Sequence, residues 1–310
     1  MNKISKILPL TLVALVLASG FSAQQASAVV SGNFFLTCHD PDFHSFVGGN
    51  NLGSRHLITK GVNFIQDPAF NTFVNGGITK ILFVESKISP PGGHVNGVNG
   101  FTAAGYVLGV DFEHHDATDL NAELNLLGTK YSSIVVASDF GGVLTQAELN
   151  ILNARSADIV NFLNAGGGIY VMAESNNGAH LTPGGGQFSF LPFVTTSTPL
   201  DQSESGNTVT PFGTFIGLAN VDVNGNASHC VFNGLFGLNL VDSDPSQRIL
   251  SLAGRTLAPD VVGGEIIPIE TVALLLAGLS SNAVWMIPVA ISSAGIGLIL
   301  VSKKSKILDF

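Results

Sequence analysis

Short runs of apolar residues alternate with helical patterns through the first half of the chain. Each run is rich in β-branched or aromatic residues and nearly continuous in hydrophobicity, as expected of a strand that is covered on both faces. Alternation of such runs with helices is typical of a parallel sheet with crossover helices, so the pattern predicts an α/β fold. The predicted strands cover residues 33–38, 78–84, 107–112, 132–138 and 168–173.

The clearest helix begins after Leu144. Thr145 and Glu148 form a T-x-x-E capping box, apolar residues recur at helical spacing as far as Leu163, and the glycines at 166–168 end the pattern. Beyond the fifth strand the chain is rich in Gly, Pro, Asn, Ser and Thr, which predicts long loops and a few short strands. Two weaker helices are predicted at residues 57–65 and 120–127.

Both ends of the chain carry targeting patterns. Lys3 and Lys6, the apolar run 7–18 and the small-x-small pattern at 26–28 predict a signal peptide, with the mature chain starting at Val29. That apolar run is too short for a bilayer core, which needs roughly 20 residues. Near the other end, an uncharged and predominantly apolar stretch is followed at once by lysines, which predicts a membrane-spanning helix with its C-terminus inside. This stretch covers residues 283–301.

These patterns predict an exported protein with its α/β domain outside the cell, at the cell surface or anchored in the membrane. The predicted parts are a signal peptide (1–28), an α/β ectodomain (29–256), a linker (257–268), a C-terminal sorting or transmembrane segment (269–302) and a basic cytoplasmic tail (303–310). Two cysteines in an exported chain suggest one disulfide between Cys38 and Cys230, and buried free thiols are the alternative.

Charge narrows the functional classes. Between Val29 and Pro268 there are 20 acidic and eight basic residues, which gives a net charge near −12. We do not expect this domain to bind nucleic acids, because affinity for their phosphates comes largely from lysine and arginine. An acidic surface suits cation binding, or serves solubility outside the cell.

Polar residues follow the predicted strands, and in a parallel sheet the carboxyl ends of the strands meet at one edge, where ligands bind. The expected binding residues are His39, Asp40, Asp42, His44, Asp111, Glu113, His114 and Asp139. Imidazoles and carboxylates would suit a divalent metal such as zinc, manganese or iron. The candidate metal ligands are His39, His44, His114, His115 and Asp116. Their spacing matches no established metal motif, and the alternative is that the aspartates form turns and caps while the histidines bind loop backbone.

Two further motifs lie near residue 225. Asn226-Ala227-Ser228 is the only N-glycosylation sequon, and Asn224-Gly225 predicts a hairpin turn. The "DVNGN" at 222–226 is similar to the start of a calcium loop, but Ala227 stands where the EF-hand needs glycine. A calcium site is therefore not expected.

Residues 131–175 resemble the central part of the class I glutamine amidotransferase-like superfamily, which implies a flavodoxin-like, doubly wound sheet. That family places its nucleophilic cysteine in G-x-C-x-G after the last of these strands, and the turn here, 172–178, contains none. The resemblance therefore implies a domain without the family nucleophile, with Glu174, Ser175 and His115 as the remaining catalytic candidates. Residues 229–235 are similar to a segment of the trehalose-utilisation branch, which implies a structural role for His229.

The C-terminal segment resembles PEP-CTERM-type and archaeal surface-protein sorting tails, in which a short proline-containing motif, here residues 268–271, precedes a hydrophobic helix and a basic cluster. This implies a membrane partner and a sorting or processing protease. The expected function is a surface protein with a non-catalytic binding domain whose ligand is unknown. The alternative is an extracytoplasmic hydrolase that uses the His/Asp/Glu edge, with or without a metal.

Overall fold

A computed structural model describes residues 32–173, 187–200, 205–256, 288–289 and 299–300. The chain forms two units, Met1–Ala258 and Pro259–Phe310. Within the second unit, the described residues are an antiparallel pair of two-residue strands, Pro288–Val289 and Ile299–Leu300. The predicted signal peptide, linker, basic tail and the rest of the predicted spanning segment lie outside the described residues. In the part of the chain that is described, no helix has the length and hydrophobicity to cross a membrane.

The first unit contains ten strands and eight α-helices in its described residues. The strands are β1 (Gly32–Thr37), β2 (Ile81–Val84), β3 (Phe112–His115), β4 (Ser133–Val136), β5 (Gly168–Met172), β6 (Ser197–Pro199), β7 (Thr208–Val209), β8 (Cys230–Phe232), β9 (Asn239–Ser243) and β10 (Ile249–Thr256). The helices are α1 (Pro41–His44), α2 (Asn51–Ile65), α3 (Thr72–Asn75), α4 (Gly97–Ala103), α5 (Leu120–Glu123), α6 (Gln146–Ala154), α7 (Ser156–Asn164) and α8 (Pro211–Phe215). Single 3-10 turns cover Leu124–Leu126 and Asn220–Val223.

The strands form one mixed sheet in the order β3-β2-β4-β5-β1-β10-β8-β6, with β9 pairing β10 and β7. The first five strands of this order are parallel to their neighbours. β10 pairs antiparallel with β1 and joins the parallel part to the later strands. The α/β prediction is therefore confirmed, and the short strands expected after β5 extend the sheet on one side.

Side chains alternate between two apolar cores, one on each face of the sheet, because successive residues of a strand point to opposite faces. Phe34 and Leu36 pack into one core, where helices α6 and α7 contribute Leu149, Leu152, Ile159 and Leu163. Phe35 packs into the other, where α2 and α4 contribute Leu57, Ile58, Val62 and Phe101. Helices thus cover both faces of the parallel strands, which explains why those strands read as continuous apolar runs.

The third strand was predicted at the wrong position. Residues 107–110 form a surface turn in which the Asp111 backbone N–H donates to the Val107 carbonyl at 2.8 Å and Gly109 takes a φ of +83°. The apolar side chains of this turn are exposed. The strand β3 begins only at Phe112, so Glu113, His114 and His115 lie within it rather than after it.

Two of the predicted helices are shorter than expected. The capping box of α6 is present as predicted, with Thr145 and Glu148 bonded reciprocally. At Arg155 the backbone leaves helical geometry, with φ −101° and ψ 17°, so the single predicted helix becomes α6 and α7. The region 120–127 forms only the four-residue α5 and a 3-10 turn.

Cys38 and Cys230 are joined in a disulfide that links the end of β1 to the start of β8. Two backbone hydrogen bonds run beside it, from the His229 N–H to the Cys38 carbonyl at 2.8 Å and from the Asp40 N–H to the Ala227 carbonyl at 3.3 Å. The segments that carry residues 38–40 and 227–230 are therefore held together, although they are far apart in the sequence.

The region around Asn224 and Gly225 differs from its prediction. It is a bend after the 3-10 turn Asn220–Val223 and not a hairpin. Asn226 is fully buried, accepts a hydrogen bond from the Ser54 hydroxyl and donates one to the Asp222 carbonyl. Burial of this amide contradicts glycosylation of the folded domain at Asn226.

Candidate functional site

A cavity of about 140 Å³ lies beyond the carboxyl ends of β1, β2 and β4. The turn after β1 and helix α1 supply part of its wall, the loop between β2 and α4 a second part, and the loop after β4 a third. The segment before β8, held by the disulfide, completes it. The lining residues are Asp40, Phe43, His44, Gly93, His94, Phe140, Gly141 and His229.

Asp40 is the central charged group of this cavity. Its Oδ1 lies 3.5 Å from His44 Nε2, and its Oδ2 lies 3.3 Å from His229 Nε2. The residue is only 2% exposed, and Oδ1 has no hydrogen-bond partner among the described residues. Burial raises the pKa of Asp40 well above its ordinary value, and the neighbouring His44 lowers it only in part.

Two further buried carboxylates, Asp42 and Glu85, lie beside the cavity. Asp42 accepts hydrogen bonds from the backbone N–H and the hydroxyl of Ser138, at 2.8 and 2.6 Å. Glu85 accepts three backbone N–H bonds, from Gly97, Val98 and Val143. These bonds connect the turn after β1 with the loops after β2 and β4. Glu85 and Asp42 therefore fix the loops that form the cavity wall.

Burial dominates the electrostatics of both carboxylates. It raises the pKa of Asp42, although hydrogen bonds from Ser138 favour the ionised form. It also raises the pKa of Glu85 to about 8, because the three N–H donors do not offset burial and the nearby charge of Asp42 adds to it. We call Asp40, Asp42, His44, Glu85 and His229 the cavity cluster.

Glycines allow the loops to approach these carboxylates closely. A Cβ atom at Gly97 would lie 2.6 Å from Asp42 Oδ2 and 3.1 Å from Glu85 Oε1. A Cβ at Gly141, which has a φ of +150°, would lie 2.5 Å from Asp40 Oδ2. The contacts at 2.6 and 2.5 Å are shorter than those of real Cβ atoms, so the site depends on glycine at these positions.

A Ser–His–Asp arrangement lies next to the cavity but faces away from it. Ser228 Oγ is 2.7 Å from His39 Nδ1, and His39 Nε2 is 2.8 Å from Asp242 Oδ2. All three residues are fully buried. His39 and Ser228 oppose each other in an antiparallel bridge, so their neighbours Asp40 and His229 point to the other side. The arrangement is therefore a buried hydrogen-bond chain with no access for a substrate.

A second cluster lies on β3 at the edge of the sheet. Single ligand atoms of Glu113, His115 and Glu123 lie within 4.8 Å of one another, which is compatible with a metal ion. The ammonium of Lys130 lies 2.6 Å from Glu113 Oε2 and 3.0 Å from Glu123 Oε2, and the Tyr131 hydroxyl contacts both carboxylates. We call these five residues the β3 cluster.

In the β3 cluster a lysine balances the carboxylates. Partial burial would raise the pKa of Glu113, but hydrogen bonds from Lys130 and Lys80 lower it to about 2. The pKa of Glu123 is lowered by Tyr131 and Lys130 in the same way. Because an ammonium already contacts both carboxylates, a metal ion would have to displace it.

The structure brings together only some of the residues predicted from the sequence. Asp40, Asp42 and His44 belong to the cavity cluster, whereas His39 faces away from it. Asp111 accepts the Val107 N–H before β3, and Asp116 accepts the N–H and hydroxyl of Thr118. These two aspartates therefore stabilise turns, as the alternative interpretation predicted.

The remaining predicted residues divide between the two clusters and the rest of the chain. His114 points away from Glu113 and His115, and its Nε2 lies 3.1 Å from the Glu85 carbonyl oxygen. Asp139 is buried beyond the end of β4. Glu174 and Ser175 lie outside the described residues.

Three residues of the site were not predicted from the sequence: Glu85, His94 and His229. Glu85 directly follows β2, so the rule that selected the other strand ends would also have found it. His94 lies in a glycine-containing loop with no pattern to mark it. His229 was interpreted as structural from a resemblance, and it lines the cavity because the disulfide and β8 bring its segment there.

The end of β5 has an unusual backbone. Ala173, the first residue after the strand, has a φ of +33° and is fully buried. A positive φ is strained for alanine and is found mainly where the surrounding structure enforces it. The backbone is therefore constrained at Ala173, where the strand ends.

No model of a known protein family and no curated protein matches this chain.

Proposed function

We propose that this chain is an exported surface protein whose α/β domain binds a small ligand in the cavity beside Asp40. The observation that carries the proposal is the Asp40 carboxylate, which is buried in the cavity wall and has an oxygen without a hydrogen-bond partner among the described residues. Buried polar groups in folded proteins nearly always have a partner. A ligand that donates hydrogen bonds or carries positive charge would supply it.

The size and lining of the cavity limit the ligand. A water molecule takes up about 30 Å³ in the liquid, so a cavity of about 140 Å³ suits an ion with its waters or a molecule of a few heavy atoms. Phe43 and Phe140 give the cavity apolar walls, and the imidazoles of His44 and His229 flank the carboxylate. This mixture of a few polar groups with aromatic walls is typical of small-molecule sites.

Binding is favoured over catalysis because no hydroxyl or thiol side chain of the described residues lines the cavity. Both cysteines are consumed in the disulfide, and Ser228 is fully buried. The turn in which the amidotransferase-like resemblance implies a nucleophile, residues 172–178, contains no cysteine. This absence supports a domain without the family chemistry.

The strand order supports the flavodoxin-like part of the proposal. Flavodoxin-like sheets have the order 2-1-3-4-5, with the ligand at the point where the order reverses. The parallel strands here run β3-β2-β4-β5-β1, which is the same progression if β1 occupies the fifth place. The reversal then falls between β2 and β4, next to the cavity.

Export and anchoring rest on the sequence, with support from the disulfide. Disulfides persist in oxidising compartments outside the cytosol. We expect the tagged full-length chain to reach the membrane or surface fraction of its host and to be digested by protease added to intact cells. Retention of the full-length chain in the cytosol, protected from protease, would contradict export.

Ligand binding is tested by thermal unfolding of the full-length chain with small probes. The probes are ammonium, guanidinium, ethanolamine and divalent metal chlorides, compared in the wild type, Asp40→Asn and the exposed control Asp158→Asn. A ligand at 100 times its Kd stabilises the folded state by about 2.7 kcal/mol, which is several degrees in Tm. We expect at least one probe to raise Tm in the wild type and the control but not in Asp40→Asn. If every probe acts equally on all three proteins, the proposal fails.

A further inference from the structure

We infer that a second cavity of this domain binds a small aromatic carboxylate, with the Lys60 ammonium as the partner of the carboxylate group. This cavity, which we call the α2 cavity, has a volume of about 330 Å³ and is lined by α2, the turn after it, the end of α8 and the end of β10. Arg255 of β10 lies opposite Asn33, at the start of β1, whereas Asp40 follows the end of β1. The two cavities therefore lie at opposite ends of β1, and the inference goes beyond the proposed function.

Aromatic rings form much of the wall of the α2 cavity. Phe64, Phe70 and Phe215 all line it. Phe70 is 44% exposed and Phe215 is 79% exposed, so two large apolar rings are left in contact with water at this site. A flat apolar ligand would remove them from water, and stacked or edge-to-face ring contacts favour an aromatic ring over an alkyl chain.

Arg255 holds two of these rings in place. Its guanidinium carbon lies 4.2 Å from the centre of the Phe64 ring and 3.8 Å from that of the Phe70 ring. Its Nη2 donates to Asp67 Oδ2 at 2.8 Å and to the Phe64 carbonyl at 3.2 Å, and its Nε donates to Asn33 Oδ1 at 3.0 Å. Asp67 is the carboxylate among the lining residues, and Arg255 already balances its charge.

Lys60 supplies a positive charge that no described carboxylate balances. The other described lysines, Lys80, Lys87 and Lys130, lie 2.9, 3.3 and 2.6 Å from carboxylate oxygens, whereas Lys60 forms no ion pair within the described part of the chain. Its end lies over the turn after α8, where a Cβ at Gly217 would come within 3.1 Å of Nζ. An unbalanced ammonium beside aromatic walls, in a domain with a net charge near −12, favours a ligand that carries a carboxylate.

The volume of the α2 cavity limits the size of the ligand. A water molecule takes up about 30 Å³ in the liquid, so 330 Å³ suits a molecule of about ten heavy atoms, such as a benzene ring with a short carboxylate side chain. Small-molecule sites commonly measure about 300–1,000 Å³ and combine apolar walls with a few polar groups. Because Asp67 is paired with Arg255, the charge left for the ligand is that of Lys60, which selects one carboxylate over an amine or a neutral molecule.

The test is calorimetric titration of the full-length protein with phenylacetate, the neutral phenylacetamide and the cationic phenethylamine. We expect one equivalent of phenylacetate to bind to the wild type, to Asp40→Asn and to the exposed-lysine control Lys87→Met. Lys60→Met keeps most of the apolar stem but lacks the charge, so it should bind phenylacetate about fivefold more weakly. Lys60→Arg should restore most of the affinity. The wild type should bind the amide about fivefold more weakly than the acid, and Lys60→Met should bind the two equally.

Phe215→Ser tests the aromatic contact separately from the charge. The ring is exposed, so its loss should leave the fold intact, which thermal unfolding checks. The variant should bind the acid and the amide more weakly by similar factors, because contact between rings does not depend on the carboxylate. Phe46→Ser, which removes an exposed ring outside the α2 cavity, is the control and should bind both as the wild type does.

Several results would contradict the inference. One is a folded wild type that binds no phenylacetate at millimolar concentration, and another is equal affinity for the acid, the amide and the amine. Equal affinity of the wild type and Lys60→Met for phenylacetate would also contradict it, and loss of binding in Asp40→Asn would assign the ligand to the other cavity. A wild type that is dimeric, binds no phenylacetate and dissociates on Phe215→Ser would assign the α2 cavity to a second copy of the chain. None of these results except the Asp40→Asn one bears on the cavity beside Asp40, which has its own test.

Discussion

The cavity cluster and the β3 cluster contain the same kinds of side chain, carboxylates and imidazoles, but their electrostatics are opposite. In the cavity cluster burial raises the pKa of Asp40, Asp42 and Glu85, and no lysine or arginine lines the cavity. In the β3 cluster hydrogen bonds from Lys130 and Lys80 lower the pKa of Glu113, and hydrogen bonds from Tyr131 and Lys130 lower that of Glu123. Residue composition alone therefore does not distinguish a ligand site from a balanced ion-pair network.

The difference comes from position in the sheet. The cavity cluster lies beyond the carboxyl ends of the strands, where loops cover the strand ends, so its carboxylates are removed from water. The β3 cluster lies on the outermost parallel strand, where Lys80 and Lys130 reach Glu113 from the sides. Exposure permits a cationic partner from the protein itself, whereas burial raises the pKa and favours the protonated carboxyl group.

The largest expected effect comes from removing the disulfide. Loss of a native disulfide in a secreted domain typically lowers the free energy of unfolding by about 2–5 kcal/mol. The double variant Cys38→Ala/Cys230→Ala should show this loss in denaturant unfolding.

The same variant also separates the two clusters. Hydrogen exchange should accelerate in the segments 37–50 and 227–232 more than in 112–131, because only the cavity cluster is tied to the bridge. Equal acceleration in both regions would mean that the disulfide stabilises the whole domain and does not specifically hold the cavity.

The next effect is steric and also falls on the cavity side. A Cβ at Gly100 would overlap the backbone carbonyl of Asp42, because α4 packs directly against α1. Gly100→Ala should lower the free energy of unfolding by about 1–3 kcal/mol. The control Gly92→Ala has open space around its Cβ position and should change stability by less than about 0.5 kcal/mol. Equal stabilities of the two variants would show that α4 can move away without cost.

The two clusters should also respond oppositely to pH. The folded pKa of Glu85, about 8, lies above the ordinary value of 4.5, so the folded state holds a proton that the unfolded chain releases. Glu85 should therefore destabilise the fold as pH rises from about 4.5 to 8, by at most about 1.4 kcal/mol per pH unit. Glu85→Gln should flatten the pH profile of the free energy of unfolding in this window.

A matched control comes from the β3 cluster. The pKa of Glu113 is lowered to about 2, so its stabilising contribution is fully present above 4.5 and is lost only as pH falls toward 2. Glu113→Gln should leave the slope between pH 5 and 8 unchanged. A wild-type profile that is already flat in this window would show that Glu85 is ionised in the folded protein.

The smallest expected effect would convert the β3 cluster into a metal site. Lys130→Met removes the ammonium that contacts Glu113 and Glu123 and should cost at most about 1 kcal/mol, because the pair is partly exposed. The variant should gain affinity for Zn²⁺ by calorimetric titration, unlike the remote control Lys60→Met. A wild type that already binds Zn²⁺ through Glu113 would show that the lysine does not exclude the ion.

Most of the parallel sheet could be predicted from the sequence because four of its strands are buried on both faces and therefore read as continuous apolar runs. The strand β3 could not, because its middle residues are polar and the apolar residues before it belong to a turn that Gly109 permits. The break at Arg155 was also missed, since the apolar spacing continues through it and only the backbone angles reveal it.

Only those site residues that directly follow a predicted strand could be predicted from the sequence. Asp40, Asp42 and His44 follow β1 directly, and the strand-end rule found them. His39 was placed with them wrongly, because in an extended segment neighbouring side chains alternate between sides. His229 comes from a segment about 190 positions later that reaches the cavity through the disulfide, and no local pattern carries such a contact.

The place of β1 in the sheet has a consequence for how the protein acquires its fold. β1, the first strand in the described part of the chain, pairs with β5 and β10, and the Thr37 side chain bonds to Ser251, 214 positions later. Such distant pairings close large loops and form slowly. One edge of β1 therefore has no partner until β5, Gly168–Met172, has been made, and the other edge has none until β10, Ile249–Thr256, has been made. The sheet is therefore completed only when both distant segments, β5 and β10, are available to β1.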